Sequence, residues 1–380
     1  MKMKKLYFRL LILQGFHLVT SATYATSYQR TIDLAYDNPA LLKAVNKNEV
    51  LLGNSFIYGI FQFVGKVGPL EGSATSRQYY NYPYGRVAFR INPKIVAGID
   101  VTHLEYANIV FPQNSIVSKL ITATIIKAID VVPKISYQLT KQMALGIALN
   151  IDNTYDLQVN NVVVPFGNMV NKASDSGATG WGIGASYALS STTNLELSYF
   201  SKIMHHVTGR STWGPFENDD YKLNYPLPAL ASLGISQSLG SKWLLKAMVR
   251  YQWYAAFNAL VLQNTALGQT LNLPQGYRDT WIGLASAHYQ MNEKWGILVG
   301  SEHNTDPQPL FYRSVGLSGY SSTALIGGVD YAISNKFSVK LTYAHVISYP
   351  PLNRMTRVGL LSGKEFIHIN NFDLLFIWRI

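Results

Sequence analysis

Four cations and a pair of histidines are where this chain's side chains first suggest chemistry. Arg86 and Arg90 lie on one alternating segment, Lys246 and Arg250 on another, and within each pair the spacing puts both groups on one face of a strand. A guanidinium suits bidentate carboxylate binding, so all four are candidate anchors for an anionic substrate. The competing role is structural, because acids such as Glu196, Glu302 and Asp330 stand on similar segments and would pair with them. His205 and His206 are adjacent; on a strand they point to opposite faces, a poor pair of metal ligands that fits the end of a strand. No metal or cofactor is expected. No GxSxG elbow, HExxH helix or phosphate-cradling glycine loop occurs, and a scattered Ser/His/Asp triad would reveal itself only by geometry.

The elements that position these residues begin behind an export signal. Lys2, Lys4, Lys5 and Arg9 precede the apolar run Leu10 to Val19 and small residues around Ala22 and Ala25, so residues 1–25 read as a signal peptide. Their removal lowers the formal charge of +11 by four to +7, spread along the mature chain without a basic arm, which argues against nucleic acid as a partner. Cysteine is absent, charged residues are only 14% and aromatics reach 13% with 25 tyrosines, yet no apolar run approaches the roughly 20 residues of a membrane helix. An exported, aromatic-rich, charge-poor chain of this kind points to an all-β fold, a transmembrane antiparallel β-barrel, with a secreted β-rich protein as the competitor.

Short polar turns recur at 91–94, 139–142, 190–193, 240–242, 292–294 and 334–336, each between two alternating segments. Trp243, Leu245, Ala247, Val249, Tyr251 and Trp253 share one face of such a segment, while Lys246, Arg250 and Gln252 share the other. Lipid outside and water inside produce that pattern. Tyr137, Tyr187, Tyr289 and Tyr331 precede the short turns and Trp243, Trp295 and Phe337 follow them, as an interfacial girdle would. Six hairpins give twelve strands; segments at 49–64 and 371–380 raise the count to about 14, with the last strand closing the barrel on the first. On this count Arg86 and Arg90 fall on the second strand, Lys246 and Arg250 on the eighth. Residues 49–380 form the barrel, and 26–48 are left over, too polar and irregular for a lipid-facing strand.

That remainder contains DLAYDNPALLK, in which Pro39 fixes its own φ and biases Asn38 away from the helical region, a good way to turn the chain. A fourteen-stranded barrel behind a short segment with Asn38, Pro39 and Ala40 resembles the FadL-type family of outer-membrane transporters for long-chain fatty acids and hydrocarbons. The stretch from Tyr277 to Pro309 is similar to a late hairpin of that family, with Asp279, Trp281, Tyr289, Trp295, Gly300 and Pro307 in the matching places. The resemblance covers nearly the whole mature chain. It implies an outer-membrane location and a short N-terminal hatch over 26–48, folded into the lumen with Asn38, Pro39 and Ala40 turning the chain. Two departures stand out: the family's hatch is generally longer, and its barrels commonly end on an aromatic residue where this chain has Ile380.

In the third strand Ile95, Ala97, Ile99 and Val101 keep one phase, but Leu104 and Tyr106 sit in the other, which leaves His103 and Glu105 where lipid-facing residues belong. Either a β-bulge shifts the phase around Thr102, His103, Leu104 and Glu105, or the strand ends in a loop by Thr102. In the resembling family a kink in this strand opens the wall sideways, which spares an apolar cargo the loss of about 0.8 kcal/mol per methylene in water. Residues 114–130 and 259–273 are unusually apolar and read either as outer loops that collect hydrophobic cargo or as strand extensions and loops packed on one another. The resemblance then implies passive transport of hydrophobic compounds, long-chain fatty acids foremost, through a plugged barrel, with a general diffusion porin or surface adhesin as the alternative. Membrane lipid, the cargo and the barrel-assembly machinery are the expected partners, and a monomer the expected state.

Overall fold

The computed structural model describes residues 34–163, 167–316 and 319–380; the signal-peptide expectation and the first part of the 26–48 segment fall outside them. In hydrocarbon every backbone N–H and C=O needs a partner inside the protein, so alternating strands are stable there only if the sheet closes. It does close. β1 (Glu49–Val67), β2 (Leu70–Arg90), β3 (Ile95–Val110), β4 (Ile121–Gln138) and β5 (Met143–Val163) are successive antiparallel neighbours. After β6 (Gly167–Ser174), β7 (Ala178–Ala188) takes the wall position beside β5, and β8 (Thr193–Phe200) follows it. β9 (Ile203–Trp213) and β10 (Phe216–Leu227) then leave the wall, and β11 (Leu230–Leu239) pairs with β8.

The wall continues through β12 (Trp243–Gln252), skips β13 (Ala259–Gln263) and β14 (Leu271–Pro274), and resumes at β15 (Thr280–Gln290). β16 (Trp295–Asn304), β17 (Ser322–Ala332) and β18 (Phe337–Ser348) complete this side, β19 (Pro351–Thr356) being a short flap on β20 (Gly359–Arg379). β20 pairs with β18 on one edge and with β1 on the other, from Glu49↔Arg379 to Val67↔Leu361, which makes a closed ring of 14 strands. Lys246 and Arg250 lie on β12, the ninth strand of that ring and one later than the hairpin count placed them, and the closing strand starts at Gly359, well before residue 371.

All six short turns are at one rim. In two of them an asparagine side chain accepts from the backbone two and three residues on: Asn92 from Lys94 and Ile95, Asn292 from Lys294 and Trp295. Just inside this rim Trp243 packs on Tyr289 and Trp295 on Tyr331, with ring centroids 4.6 and 4.5 Å apart. Eight positions along the same strands, from 243 to 251 and 289 to 281, a second belt links Trp181, Tyr199, Trp253, Tyr251 and Trp281 through successive ring contacts of 4.6–5.9 Å. Eight strand residues tilted by about 40° rise about 20 Å, comparable with the roughly 25 Å apolar band of such barrels.

The opposite faces are the inside. On β12 Leu244 and Arg250 are buried, whereas Trp243, Leu245 and Val249 are exposed. Residues 114–130 are mostly wall: after a 3₁₀ turn at Ile116–Lys119, β4 begins at Ile121. The segment 259–273 forms the β13–β14 hairpin, where Leu260 and Leu262 pack with Leu223, Tyr225 and Leu227 of β10 in an apolar cluster. Neither is a bare collecting loop, because apolar side chains at strand spacing found a sheet to join.

Candidate functional site

The segment expected to serve as a hatch is built around one capped turn. Asn38 is extended (φ −61°, ψ 113°), as a residue before proline prefers, and Pro39 opens a 3₁₀ helix, Pro39–Ala44. The Asn38 side chain caps it, its Oδ1 accepting from the Ala40 N–H at 3.0 Å. The same amide donates through Nδ2 to the wall carbonyls of Ala185 (2.8 Å) and Leu197 (3.1 Å). Gly146 of β5 and Gly184 of β7 are directly paired and make the receiving surface. A Cβ on Gly146 would run into the Pro39–Ala40 backbone, and one on Gly184 into the Asn38 amide. Ser136 of β4 adds a bond from Oγ to the Ala40 carbonyl at 3.0 Å.

Charge fixes the other side of the hatch. Asp37 receives Arg86 at 2.6 Å and pairs with Lys134; both cations also hold Asp100, Arg86 at 2.5 Å and Lys134 at 2.8 Å. Lys134 further donates to the Leu34 carbonyl at 2.8 Å. Arg86, Asp100 and Lys134 are buried, so two cations and two carboxylates offset one another where solvent cannot. Arg90 donates to the hatch carbonyls of Val45 (2.9 Å) and Lys43 (2.8 Å) and to Pro93 at the rim. Burial holds the Lys43 ammonium below the ordinary lysine range, opposed by the nearby Glu196 carboxylate. Both second-strand arginines thus engage the hatch. Arg250, whose Nε meets Ser232 Oγ at 3.1 Å, stands with Lys246 on the opposite side of the ring.

Next to the hatch the wall comes apart. β2 and β3 pair from Arg90↔Val96 to Tyr84↔Thr102 and no further, although β2 extends back to Leu70 and β3 on to Val110. The next residue of β2 is Pro83. Its carbonyl faces β3, meeting His103 Nδ1 at 3.0 Å, and a strand residue sends its N–H to the same side as its C=O. The donor that β3 needs there is therefore the one proline lacks. Above this point side chains replace the ladder: Tyr80 donates to the Asn108 carbonyl at 2.6 Å, and the Val110 N–H donates to Ser76 Oγ at 3.1 Å.

On its other edge β3 stays paired with β4 up to Val110↔Ala123, with a register shift between Glu105 and Ala107. The strand does not end at Thr102, and the inside–outside alternation survives Leu104, which is wholly buried while His103 lies on the outer face. The bulge comes one step later than the sequence phase suggested. Leu104 joins Ala35 and Tyr36 of the hatch, Ala128, Val132, Ala148, Phe200 and Leu230 in an apolar cluster, in which Tyr36 meets Phe200 edge to face at 5.4 Å. The hatch, this cluster and the lower end of the seam are thus contiguous.

His205 is buried, with Nδ1 2.6 Å from Asp175 and its ring stacked on Tyr225, while His206 is exposed on the opposite face; both lie near the start of β9. Sequence reasoning missed Asp37, Asp100, Lys134, Gly146, Gly184 and Pro83. Only Pro83 carried a local signal, a proline inside an alternating strand; the others depend on which strands become neighbours.

The sequence model of the family described as outer membrane protein transport protein (OMPP1/FadL/TodX) matches residues 21–350. The fold is similar to that of a Pseudomonas aeruginosa FadL homologue at 17% identity, with a TM-score of 0.79 over 91% of this chain and 93% of that one. It is likewise similar to the Pseudomonas putida toluene transporter TodX, at 15% identity and a TM-score of 0.73 over 94% and 97% of the two chains. The Ralstonia pickettii toluene transporter TbuX matches at 15% identity, with a TM-score of 0.66 over 91% and 93%. No curated protein matches the sequence.

Proposed function

The chain belongs to the OMPP1/FadL/TodX family of outer-membrane transport proteins, and from that premise we propose that it passes small hydrophobic compounds through a hatched lumen and releases them sideways between β2 and β3. The observation that carries this proposal is the interrupted β2–β3 ladder above Pro83, with the apolar cluster around Leu104 and Tyr36 at its inner side. A cargo leaving there enters hydrocarbon directly and never exposes its apolar surface to periplasmic water. Transport is passive.

The cargo we favour is neutral and apolar, a monoaromatic hydrocarbon before a long-chain fatty acid. Support comes from the two arginines of β2, which are engaged by Asp37, Asp100 and hatch carbonyls, and from the toluene transporters among its structural relatives. A fatty acid would instead draw its head-group contact from Arg250 or Lys246 across the ring. Competition of toluene and of a long-chain fatty acid for a fluorescent apolar probe, in the refolded barrel and in Arg250→Ala, separates the two. Displacement by toluene, with Arg250→Ala unchanged, is the expected result; displacement by the fatty acid alone, weakened in the variant, would move the assignment to fatty acids.

A further inference from the structure

The outer belt of the barrel differs between its two halves. From β7 to β15 it is made of Trp181, Tyr199, Tyr251, Trp253 and Trp281, whereas at the same height β16, β18 and β20 carry imidazoles on the outer face. Counting eight positions from the girdle at the short-turn rim, 295 leads to His303 and 337 to His345, and on β20 His368 lies two beyond Asn370. Even Arg or Lys on the lipid face, which costs about 2–4 kcal/mol at mid-membrane, costs only about 0–1 near the interface, so this height tolerates imidazoles. Their concentration on one side calls for a ligand rich in acceptors.

The imidazoles are organised. His345 and His368 stack with centroids 5.7 Å apart, and Tyr349 packs on His368. His345 Nδ1 meets Asn370 Oδ1 at 2.9 Å, which Tyr343 also reaches, and His303 Nδ1 meets Thr323 Oγ1 at 2.9 Å. In His303 and His345 Nδ1 is turned to a wall partner, so Nε2 is the nitrogen that an approaching ligand meets; because His345 Nδ1 donates to the Asn370 amide oxygen, its Nε2 presents an N–H only when the ring is an imidazolium. Arg77, exposed on the outer face of β2, is level with Ile60 of β1, which is level with His368; two strand spacings, about 10 Å, separate it from that ring. Below His345 a recess of about 490 Å³ is lined by Leu325, Ile326, Gly327, Tyr343 and His345. It exists because Gly327 carries no side chain, and a Cβ there would meet nothing within 4 Å.

We propose that His303, His345, His368 and Arg77 form a docking surface for the phosphorylated headgroup of an outer-leaflet glycolipid, one of whose acyl chains lies in the recess at Gly327. The chemistry matches at both ends: imidazolium N–H donors and a guanidinium for phosphate oxygens, whose own negative charge favours the protonated rings, and an apolar notch facing hydrocarbon for the chain. Position matches as well, since the surface faces the outer leaflet of the membrane in which this family resides. The surface is independent of which cargo the lumen carries.

The test is lipid binding to the purified full barrel in a neutral detergent, read by native mass spectrometry and by the shift in Tm. The probes are bisphosphorylated lipid A, its dephosphorylated form and phosphatidylglycerol. Bisphosphorylated lipid A is expected to bind at least tenfold more tightly than either of the others. The triple variant His303→Gln, His345→Gln, His368→Gln should lose that preference, and Gly327→Leu, which fills the recess, should weaken both lipid A forms. Retained apolar-probe binding reports that the variants fold. Equal binding of the phosphorylated and dephosphorylated forms by the unaltered protein would overturn the proposal, and needs no variant; so would phosphatidylglycerol binding as tightly as lipid A, or a folded triple variant with undiminished preference.

Discussion

Asn38 does two jobs with one amide, capping its own turn and tying that turn to two wall carbonyls. Asn38→Ala removes the cap and both wall bonds; at about 1 kcal/mol net for each of the two wall bonds, hatch docking should weaken by about 2 kcal/mol, roughly thirtyfold in the undocked population. Single-channel conductance in planar bilayers should then show frequent open events. Asp37→Asn leaves Arg86 and Lys134 with one carboxylate between them and should loosen the hatch comparably, seen as faster proteolysis within residues 34–48. Lys43 acts in the opposite sense. Its docked pKa lies below the free value of 10.5, so the undocked state binds more protons and docking strengthens as pH rises through the interval between the two. Lys43→Met should tighten the hatch at neutral pH and flatten its alkaline response in the same conductance assay. At this scale the sequence was legible only in part: Asn-Pro-Ala marks a turn, but that Arg86 faces Asp37 depends on a chain reversal that spacing cannot express.

Among the strands, the gap between β2 and β3 follows from one missing N–H. Pro83→Ala restores the donor opposite His103, should extend the ladder beyond Tyr84↔Thr102 and slow the release of apolar cargo several-fold from loaded barrels in liposomes. Tyr80→Phe combined with Ser76→Ala removes two of the side-chain bridges and should speed it. Faster release in Pro83→Ala would place the exit elsewhere in the wall. Hairpins were the readable part of the fold, because a short turn, a girdle residue and alternation coincide within one stretch of chain. The β6, β9, β10, β13 and β14 strands were not, since their apolar residues pack on one another and on Ile126, Leu157 and Val159 of β4 and β5, and so carry no lipid-facing stripe. The third strand shows the limit: Leu104, which the sequence phase set out of step, points inward in unbroken alternation to meet Tyr36, and only the pairing partners reveal the bulge between Glu105 and Ala107.

For the molecule as a whole, the ring of fourteen was countable because both of its ends and all six short turns fall on one side. Deleting residues 34–48 removes the hatch while leaving every wall strand, so the barrel should still insert, but with a raised steady conductance; unchanged conductance would mean that another element seals the lumen. The ring has a further consequence, for how the protein is made. β1 and β20 meet along their full paired length, yet they stand at opposite ends of the wall, so the pairing that finishes the cylinder is also the one of greatest sequence separation and the most demanding in loop entropy. Until β20 arrives, β1 and β18 both present raw edges to hydrocarbon, and no shorter chain has a stable membrane form. A stop codon ahead of β20 would therefore leave an orphan for degradation in place of a slightly weaker channel, and synthesis would yield either complete cylinders or nothing.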